Sequence, residues 1–311
     1  MEALKKLKEV YEKKGFYFLK TEVWKRVMPI RFVRDMNVMT LHYQENAYRY
    51  LKKNYLPLLR NFKSAPYDQS EDVPSKIWVY WLQGIENAPE IVKRCYESLL
   101  KNSNGCEVIL LTEKNLGEYI QIPNRIEEHL RKKHMQYAQF SDYIRMALLE
   151  RYGGAWIDAT AFLSAPLPAD LFKMDLFCFK TSYLDNSPMV ASSWFIMAKK
   201  GNPIVSQVKY LLDEYWERET RLCDYYLLHL LFALVVKCDE NSKRMWKNVP
   251  YVSNVDPHTL QFELFDDYRE ERFSEICGKS FIHKLTYKFH GSDPLSNPNS
   301  NYCRLIKGEI L

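Results

Sequence analysis

Short apolar runs alternate with helical segments after residue 75, and this alternation limits the possible folds more than any other feature of the sequence. Residues 76–83 (KIWVYWLQ) and 107–112 (EVILLT) are too short for helices and rich in strand-forming side chains. Between them, residues 89–101 carry apolar side chains at helical spacing. Strand, helix and strand at this spacing form a βαβ unit, which requires parallel strands. The sequence therefore predicts an α/β domain.

The same pattern recurs farther along the chain. Residues 138–152 have helical periodicity and end at Gly153, a typical helix terminator. Residues 155–163 (AWIDATAFL) then have the composition of a strand interrupted by one carboxylate, Asp158. Only 10 of 311 residues are glycine, so the adjacent pair Gly153-Gly154 is expected at a turn that needs glycine. The remaining predicted elements are a strand at 194–198 and helices at 204–219 and 225–236.

Charge divides the chain into two regions. Residues 1–63 carry fifteen basic and six acidic side chains, a net +9, whereas the other 248 residues carry a net −4. Apolar residues recur among the basic ones, which predicts a basic, aromatic-rich helical region at residues 1–70 and a main domain at 71–311. Such a region can pack on the core or lie on an anionic membrane surface, and nucleic acid is a less favoured partner.

Several protein classes are disfavoured by what the sequence lacks. No apolar run approaches the roughly 20 residues that span a bilayer, and residues 1–16 lack the apolar core of a secretory signal. Seven cysteines without a CxxC pair argue against a disulfide framework or a zinc site. The absence of Walker, GxGxxG, GxSxG and HExxH motifs disfavours NTPases, dinucleotide-dependent dehydrogenases, serine hydrolases and zinc proteases. We expect a cytoplasmic protein.

A group of charged residues is predicted at one edge of the sheet. Ligands bind beyond the carboxyl ends of parallel strands, so Asp158 is expected there. Asp142 and Arg145 lie three residues apart and share a helix face near Ser141. An arginine can bind phosphate, and carboxylates can accept sugar hydroxyls or hold Mg²⁺ or Mn²⁺. The alternatives are a structural pair or cap for Asp158 and a simple ion pair for Asp142 and Arg145.

The stretch FSDYIRMALLERYGGAWIDATAFL resembles the sugar-binding core of glycosyltransferases with the SDxxR…YGGxxxD pattern. That group includes yeast mannosyltransferase-like enzymes and clostridial glucosylating toxins, and the chain is more similar still to bacterial capsular polysaccharide synthesis glycosyltransferases. Further similar blocks extend the resemblance over residues 74–290. It implies the GT-A nucleotide-diphospho-sugar transferase fold, a mixed, mainly parallel sheet flanked by helices, here with an N-terminal helical extension.

The resemblance also implies a reaction and a place for it. A hexose, from UDP-galactose or UDP-glucose, would pass to a lipid-linked oligosaccharide in capsule or surface polysaccharide synthesis, with retention of configuration. The basic N-terminal region would hold the enzyme on the inner face of the cell membrane, and no nucleic-acid partner is expected. The alternative is a degenerate transferase that binds nucleotide-sugar or glycan as a scaffold.

Residue roles follow from the same resemblance. Ser141, Asp142 and Arg145 would contact the donor sugar and its phosphates. Asp158 would be the first residue of a DxD motif and would hold Mn²⁺ or Mg²⁺. The other implied residues are Trp81 and Gln83 at the nucleotide base, His283 at the metal, Lys284 and Lys288 at the diphosphate with His290 as a weaker candidate, and Asp224 on the acceptor side.

One position departs from the pattern. The DxD motif reads Asp158-Ala159-Thr160, so a hydroxyl replaces the second carboxylate. A hydroxyl oxygen binds a hard divalent ion less well than a carboxylate does. The sequence therefore leaves open whether the metal is needed.

Overall fold

The computed structural model of the chain describes residues 8, 36–63, 67–182, 187–289 and 293–310. Its helices are α1 (Met36–Asn54), α2 (Glu90–Lys101), α3 (Leu116–Tyr119), α4 (Asn124–Arg131), α5 (Tyr137–Tyr152), α6 (Pro203–Arg218), α7 (Leu227–Cys238), α8 (Glu240–Asn248), α9 (Thr259–Phe262), α10 (Glu270–Lys279) and α11 (Asn301–Lys307). Its strands are β1 (Lys76–Tyr80), β2 (Glu107–Leu111), β3 (Gly154–Ile157), β4 (Ala161–Leu163), β5 (Leu176–Lys180), β6 (Ala191–Ala198) and β7 (Ile282–Lys284).

Five strands form the central sheet in the order β2-β1-β3-β6-β5. β1 pairs in parallel with both β2 and β3, which confirms the βαβ unit predicted from the first two apolar runs. β6 runs antiparallel to β3 and β5, so four strands share one direction and one opposes them. The sheet is therefore mixed and mainly parallel, and the carboxyl ends of β1 and β3 meet at one edge.

Alternate residues of each strand enter different core layers, as the two-residue period of a strand requires. In β1, Trp78 faces the layer that contains α1, α5, α6 and α7. Its neighbours Ile77 and Val79 face the layer that contains α2, α9 and the small sheet of β4 and β7. Both faces of the sheet are covered, which explains why its strands read as nearly continuous apolar runs.

The glycine pair between α5 and β3 is required by its surroundings. Gly153 has φ 68° and Gly154 has φ 94°, where residues with a Cβ are strained. A Cβ on Gly153 would lie 2.6 Å from the backbone nitrogen of Lys200, and one on Gly154 would lie 2.6 Å from the carbonyl oxygen of Lys76. The backbone therefore passes between its neighbours here in a way that only glycine permits, as the scarcity of glycine predicted.

The strand predicted over residues 155–163 is wrong as a single element. The backbone N–H of Asp158 donates to the Trp194 carbonyl at 2.9 Å, and the Asp158 carbonyl accepts from Ala161 at 2.9 Å. The chain turns over these residues and passes from the central sheet to the small one, where Ala161 pairs with Lys284. Asp158 thus lies in a turn just beyond a strand end.

The described part of the N-terminal region packs on the main body. Ala47, Leu51 and Tyr55 are buried in the core layer that contains α6 and α7. The Tyr55 hydroxyl donates to Glu219 just beyond α6 at 3.0 Å. Residues 1–35, apart from Lys8, lie outside the described residues, and with them most of the predicted basic helical arm. The domain boundary at residue 70 stays a prediction. Among the described helices, none is long and apolar enough to cross a bilayer.

Candidate functional site

A cleft of about 760 Å³ opens at the edge where β1 and β3 end. Three segments at strand ends line it: residues 80–83 at and beyond the end of β1, 158–160 after β3, and 191–194 at the start of β6. Helix α5 forms a wall with Ser141, and the chain after β7 closes the rim. Ligand pockets of small molecules fall in the range of roughly 300–1,000 Å³, so the cleft can hold a nucleotide-sugar.

Asp158 lies at the centre of the cleft wall. Its Oδ1 accepts from the indole nitrogen of Trp156 and from the Arg145 guanidinium, each at 2.9 Å. Its Oδ2 accepts from the Lys284 ammonium at 2.9 Å. Burial alone raises the pKa of this carboxyl, but Lys284 and Arg145 more than offset burial and hold the pKa below its ordinary value. Asp158 is therefore a carboxylate at neutral pH.

Arg145 connects the two carboxylates. It is 4% exposed, and its guanidinium donates to Asp142 at 2.5 Å as well as to Asp158. It also lies over the Trp156 ring, 4.9 Å from the ring centroid. Asp142 faces a different balance, because burial raises its pKa to about 6 despite the nearby guanidinium. The shared helix face predicted for Asp142 and Arg145 is present, and it faces the cleft.

Lys284, at the end of β7, completes the group. Its ammonium bonds the Thr160 hydroxyl as well as Asp158. We call these four residues the charged cluster: Asp142, Arg145, Asp158 and Lys284. Lys288 lies nearby on the cleft wall, with its ammonium 5.6 Å from the centre of the Tyr287 ring. The cluster has two negative and two positive side chains, so Lys288 gives the cleft an excess of positive charge.

The residues predicted to receive the nucleotide base also line the cleft. Trp81 and Gln83 follow β1, and the Trp81 ring meets the Tyr287 ring edge-to-face with centroids 5.3 Å apart. The Trp81 indole nitrogen is buried and has no partner among the described residues. This aromatic corner can stack on a planar base, while Gln83 offers an amide to its polar edge.

Two predicted residues lie outside the cleft. Strand β7 alternates, so that Lys284 faces the cleft while His283 points into the core, fully buried beside Phe162 and bonded to the Ser164 hydroxyl at 2.9 Å. Asp224 is also buried, and it accepts the backbone N–H of Tyr226, just before α7. The structure does not bring either residue to Asp158. His290 lies outside the described residues.

Sequence reasoning missed several lining residues. His229, on α7, has a buried Nδ1 without a partner among the described residues, and burial with the nearby Arg145 lowers its pKa to about 4. It is a neutral imidazole at pH 7. The sequence feature that could have indicated His229 is its position as a polar residue inside the apolar run LLHLLFALVV. Tyr225 and Tyr226, 56% and 37% exposed, form an aromatic rim of the cleft that is distant in sequence from the other lining residues.

The donor set of the cleft fits a divalent metal poorly. Mg²⁺ and Mn²⁺ prefer about six oxygen ligands, usually one or two protein carboxylates together with phosphate oxygens and waters, and the protein carboxylates must be free to bind them. Asp142 and Asp158 are the only carboxylates among the described lining residues, and both already accept from cationic side chains. Within the described ranges, no group of three or more His, Cys, Asp or Glu side chains could hold a metal ion.

Several known proteins are similar to this chain. The family described as capsular polysaccharide synthesis protein matches residues 30–304 of the chain. The chain is 23% identical over 245 residues to the O-glycosyltransferase braB of Annulohypoxylon truncatum, with 71% of this chain and 54% of that protein covered. It therefore spans about half the length of that curated relative. A solved structure titled PaToxG Glycosyltransferase matches 88% of this chain and 98% of its own, at 15% identity and a TM-score of 0.40.

Proposed function

Because the chain belongs to the family of capsular polysaccharide synthesis proteins, we propose that it is a glycosyltransferase of the GT-A type. It moves a hexose from UDP-galactose or UDP-glucose to a lipid-linked oligosaccharide. The single observation that carries the proposal is the charged cluster at the carboxyl end of β3, inside a cleft of nucleotide-sugar size. The similarity to an O-glycosyltransferase and the mixed sheet support it.

The chemistry of the lining residues determines which part of the donor lies where in the cleft. Its base stacks in the corner of Trp81 and Tyr287, and its diphosphate lies against Lys284 and Lys288. The hexose hydroxyls donate to Asp142, whose second oxygen has no bond to Arg145. Guanidinium and ammonium groups suit phosphate, and carboxylates suit sugar hydroxyls, so each portion of the donor meets matching groups.

Transfer breaks the bond between the sugar C1 and the diphosphate oxygen, which keeps the electron pair. A new bond forms between C1 and the acceptor oxygen. Lys284 and Lys288 stabilise the charge that builds on the leaving diphosphate, which is the main contribution the cleft makes to the rate. No step of this scheme passes through a metal ion, because the donor set of the cleft fits one poorly.

We further propose that the reaction retains configuration. An inverting reaction needs a base on the acceptor side to take the hydroxyl proton. Asp158 is bonded to Arg145 and Lys284, Asp142 is assigned to the hydroxyls of the donor sugar, and His229 has a depressed pKa that makes it a weak base. The leaving diphosphate is then the acceptor of the proton. The anomeric configuration of the product, read by NMR coupling constants, tests this step.

The acceptor approaches over the aromatic rim. Tyr225 and Tyr226 expose ring surface next to the donor pocket, and sugar rings pack on such surfaces. The lipid portion of the acceptor would keep the enzyme at the inner face of the cell membrane, helped by the basic residues 1–63. Co-sedimentation with anionic liposomes, compared between the full chain and a chain that starts at residue 36, tests the membrane contact.

UDP release from a panel of UDP-sugars tests the activity. We expect turnover with UDP-glucose or UDP-galactose and a loss of at least about 100-fold in Asp158→Asn, since that change disturbs the contacts of Asp158 with both Arg145 and Lys284. Asp72→Asn, an exposed carboxylate far along the chain from the cluster, is the matched control. Full turnover in Asp158→Asn would contradict the proposal.

A second candidate function follows from Thr160, which replaces the second carboxylate of the DxD pattern. A degenerate transferase would bind nucleotide-sugar or glycan as a scaffold. Thermal stabilisation by UDP without turnover of any UDP-sugar, even with a glycan acceptor, would favour the scaffold.

A further inference from the structure

We propose that the Lys284 ammonium is the built-in cation of the donor site and takes the place that a divalent metal holds in DxD enzymes. The inference rests on the proposed function, because it concerns how the same cleft holds a diphosphate. It replaces the expectation of Mn²⁺ or Mg²⁺ at Asp158 and His283 with a protein side chain.

Lys284 lies beside the DxD-like segment. Its ammonium lies between the first and third residues of Asp158-Ala159-Thr160 and bonds both of their side chains, 2.9 Å from Asp158 Oδ2. These are the two positions that a DxD motif uses for its metal. The ammonium therefore stands where a metal would stand between the motif and the diphosphate.

The backbone fixes this position. β7 pairs antiparallel with β4, with Lys284 opposite Ala161. The backbone N–H of Leu285 also donates to the Thr160 carbonyl at 2.8 Å. The turn that carries Asp158 and the strand that carries Lys284 are thus hydrogen-bonded to each other, so the ammonium is preorganised and needs no reorganisation when the donor arrives.

The side chain at position 160 agrees with this assignment. The second carboxylate of a DxD motif helps to neutralise and hold a divalent ion, whereas here Asp158 and Asp142 together already balance the single charges of Lys284 and Arg145. The Thr160 hydroxyl then supplies a neutral acceptor for the same ammonium. Thr160 in place of the second carboxylate and Lys284 beside it therefore have one explanation: the site is built for a cation with a single positive charge.

A metal could enter only by displacing Lys284. Asp158 Oδ2 accepts a hydrogen bond from that lysine, and Oδ1 accepts from Trp156 and Arg145. Arg145 also donates to Asp142. His283, the expected protein ligand, lies in the core and bonds Ser164. Removal of the ammonium would free Asp158 Oδ2 and the Thr160 hydroxyl together, and a divalent ion could then bind between them.

The test compares the wild type, Lys284→Ala and Lys284→Arg in EDTA and in Mn²⁺. We expect wild-type UDP release to change less than twofold between the two conditions. Lys284→Ala should lose at least about 100-fold in EDTA and regain part of that loss in Mn²⁺, and Lys284→Arg should keep intermediate, metal-independent activity. Lys279→Ala, an exposed lysine on α10, is the matched control. Wild-type activity that disappears in EDTA and returns with Mn²⁺ would overturn the inference.

A second readout does not need turnover. UDP should raise the melting temperature of the wild type equally in EDTA and in Mn²⁺, whereas Lys284→Ala should respond to UDP only in Mn²⁺. A wild-type response that requires Mn²⁺, or none in either condition, would overturn the inference. If no UDP-sugar supports turnover, the proposed activity fails while the UDP response still decides the role of Lys284. If Lys284→Ala does not fold, the wild type and Lys284→Arg give the same decision.

Discussion

Replacement of Asp158 by asparagine should destabilise the fold as well as impair activity, and the loss can be worked out from the contacts. The carboxylate accepts from Trp156, Arg145 and Lys284. An asparagine can present its oxygen to Trp156 and Arg145, but its amide then points donors at the Lys284 ammonium. One charge-assisted hydrogen bond is lost, and two cations face a neutral side chain.

The size of the effect follows from burial. The side chains of Arg145, Lys284 and Asp158 are 5%, 20% and 25% exposed. Removing one partner of a fully buried ion pair costs about 3–5 kcal/mol, and partial exposure favours the lower end, about 3 kcal/mol. An unfolding entropy of about 2.1 cal/mol/K per residue gives roughly 0.65 kcal/mol/K for a chain of this length. The melting temperature should therefore fall by about 5 °C.

Differential scanning calorimetry at pH 7.5 measures this shift, with Asp72→Asn as a control that should move by less than about 1 °C because surface changes cost little. The pH matters to the reasoning. Since the folded pKa of Asp158 is lowered, its stabilising contribution is present above the ordinary carboxyl value and is lost as pH falls through the folded value. An Asp158→Asn variant that melts with the wild type at pH 7.5 would refute the assignment of Asp158 as the shared partner of both cations.

Three further predictions follow from separate parts of the fold. Gly153→Ala should lower the unfolding free energy by at least about 2 kcal/mol in chemical denaturation, because φ is 68° and the new Cβ would lie 2.6 Å from a backbone atom. The control Gly278→Ala, which has open space in α10, should be neutral or stabilising. The contribution of Asp142 to stability is fully present below about pH 4 and is lost as pH rises through its pKa of about 6. The unfolding free energy of the wild type, relative to that of Asp142→Asn, should therefore fall by up to about 3 kcal/mol from pH 4 to 7. A difference between the two proteins that stays constant with pH in urea denaturation would contradict the raised pKa. Trp81→Ala should weaken UDP binding about tenfold by calorimetry, through lost stacking, and a change below twofold would remove Trp81 from the base site.

Much of the sheet could be predicted because its strands are buried on both faces and stand out as apolar runs. The edge at which Asp158 lies was also predictable, since it follows from strand direction alone. The interruption at Asp158 was harder to interpret. A lone carboxylate inside an apolar run is compatible with one bent strand or with a turn between two sheets, and only the pairing of Ala161 with Lys284 distinguishes them.

The assignment of His283 shows where sequence reasoning stops. His283 and Lys284 are adjacent, so a short strand must send one to the cleft and the other to the core. Which one faces the cleft depends on the register between β4 and β7, and a slip of one residue would exchange them. The rim tyrosines Tyr225 and Tyr226 were missed for a related reason, because their place depends on how α7 packs on the sheet and not on local spacing.

A crystal structure with bound UDP tests the central claim most directly. The account predicts the diphosphate within hydrogen-bonding distance of Lys284 and the uracil ring against Trp81 and Tyr287, in crystals grown with EDTA as well as with Mn²⁺. UDP bound elsewhere, for example in the smaller cavity of about 440 Å³ beside Lys209, or a diphosphate held away from Lys284 by a metal ion on Asp158, would contradict it.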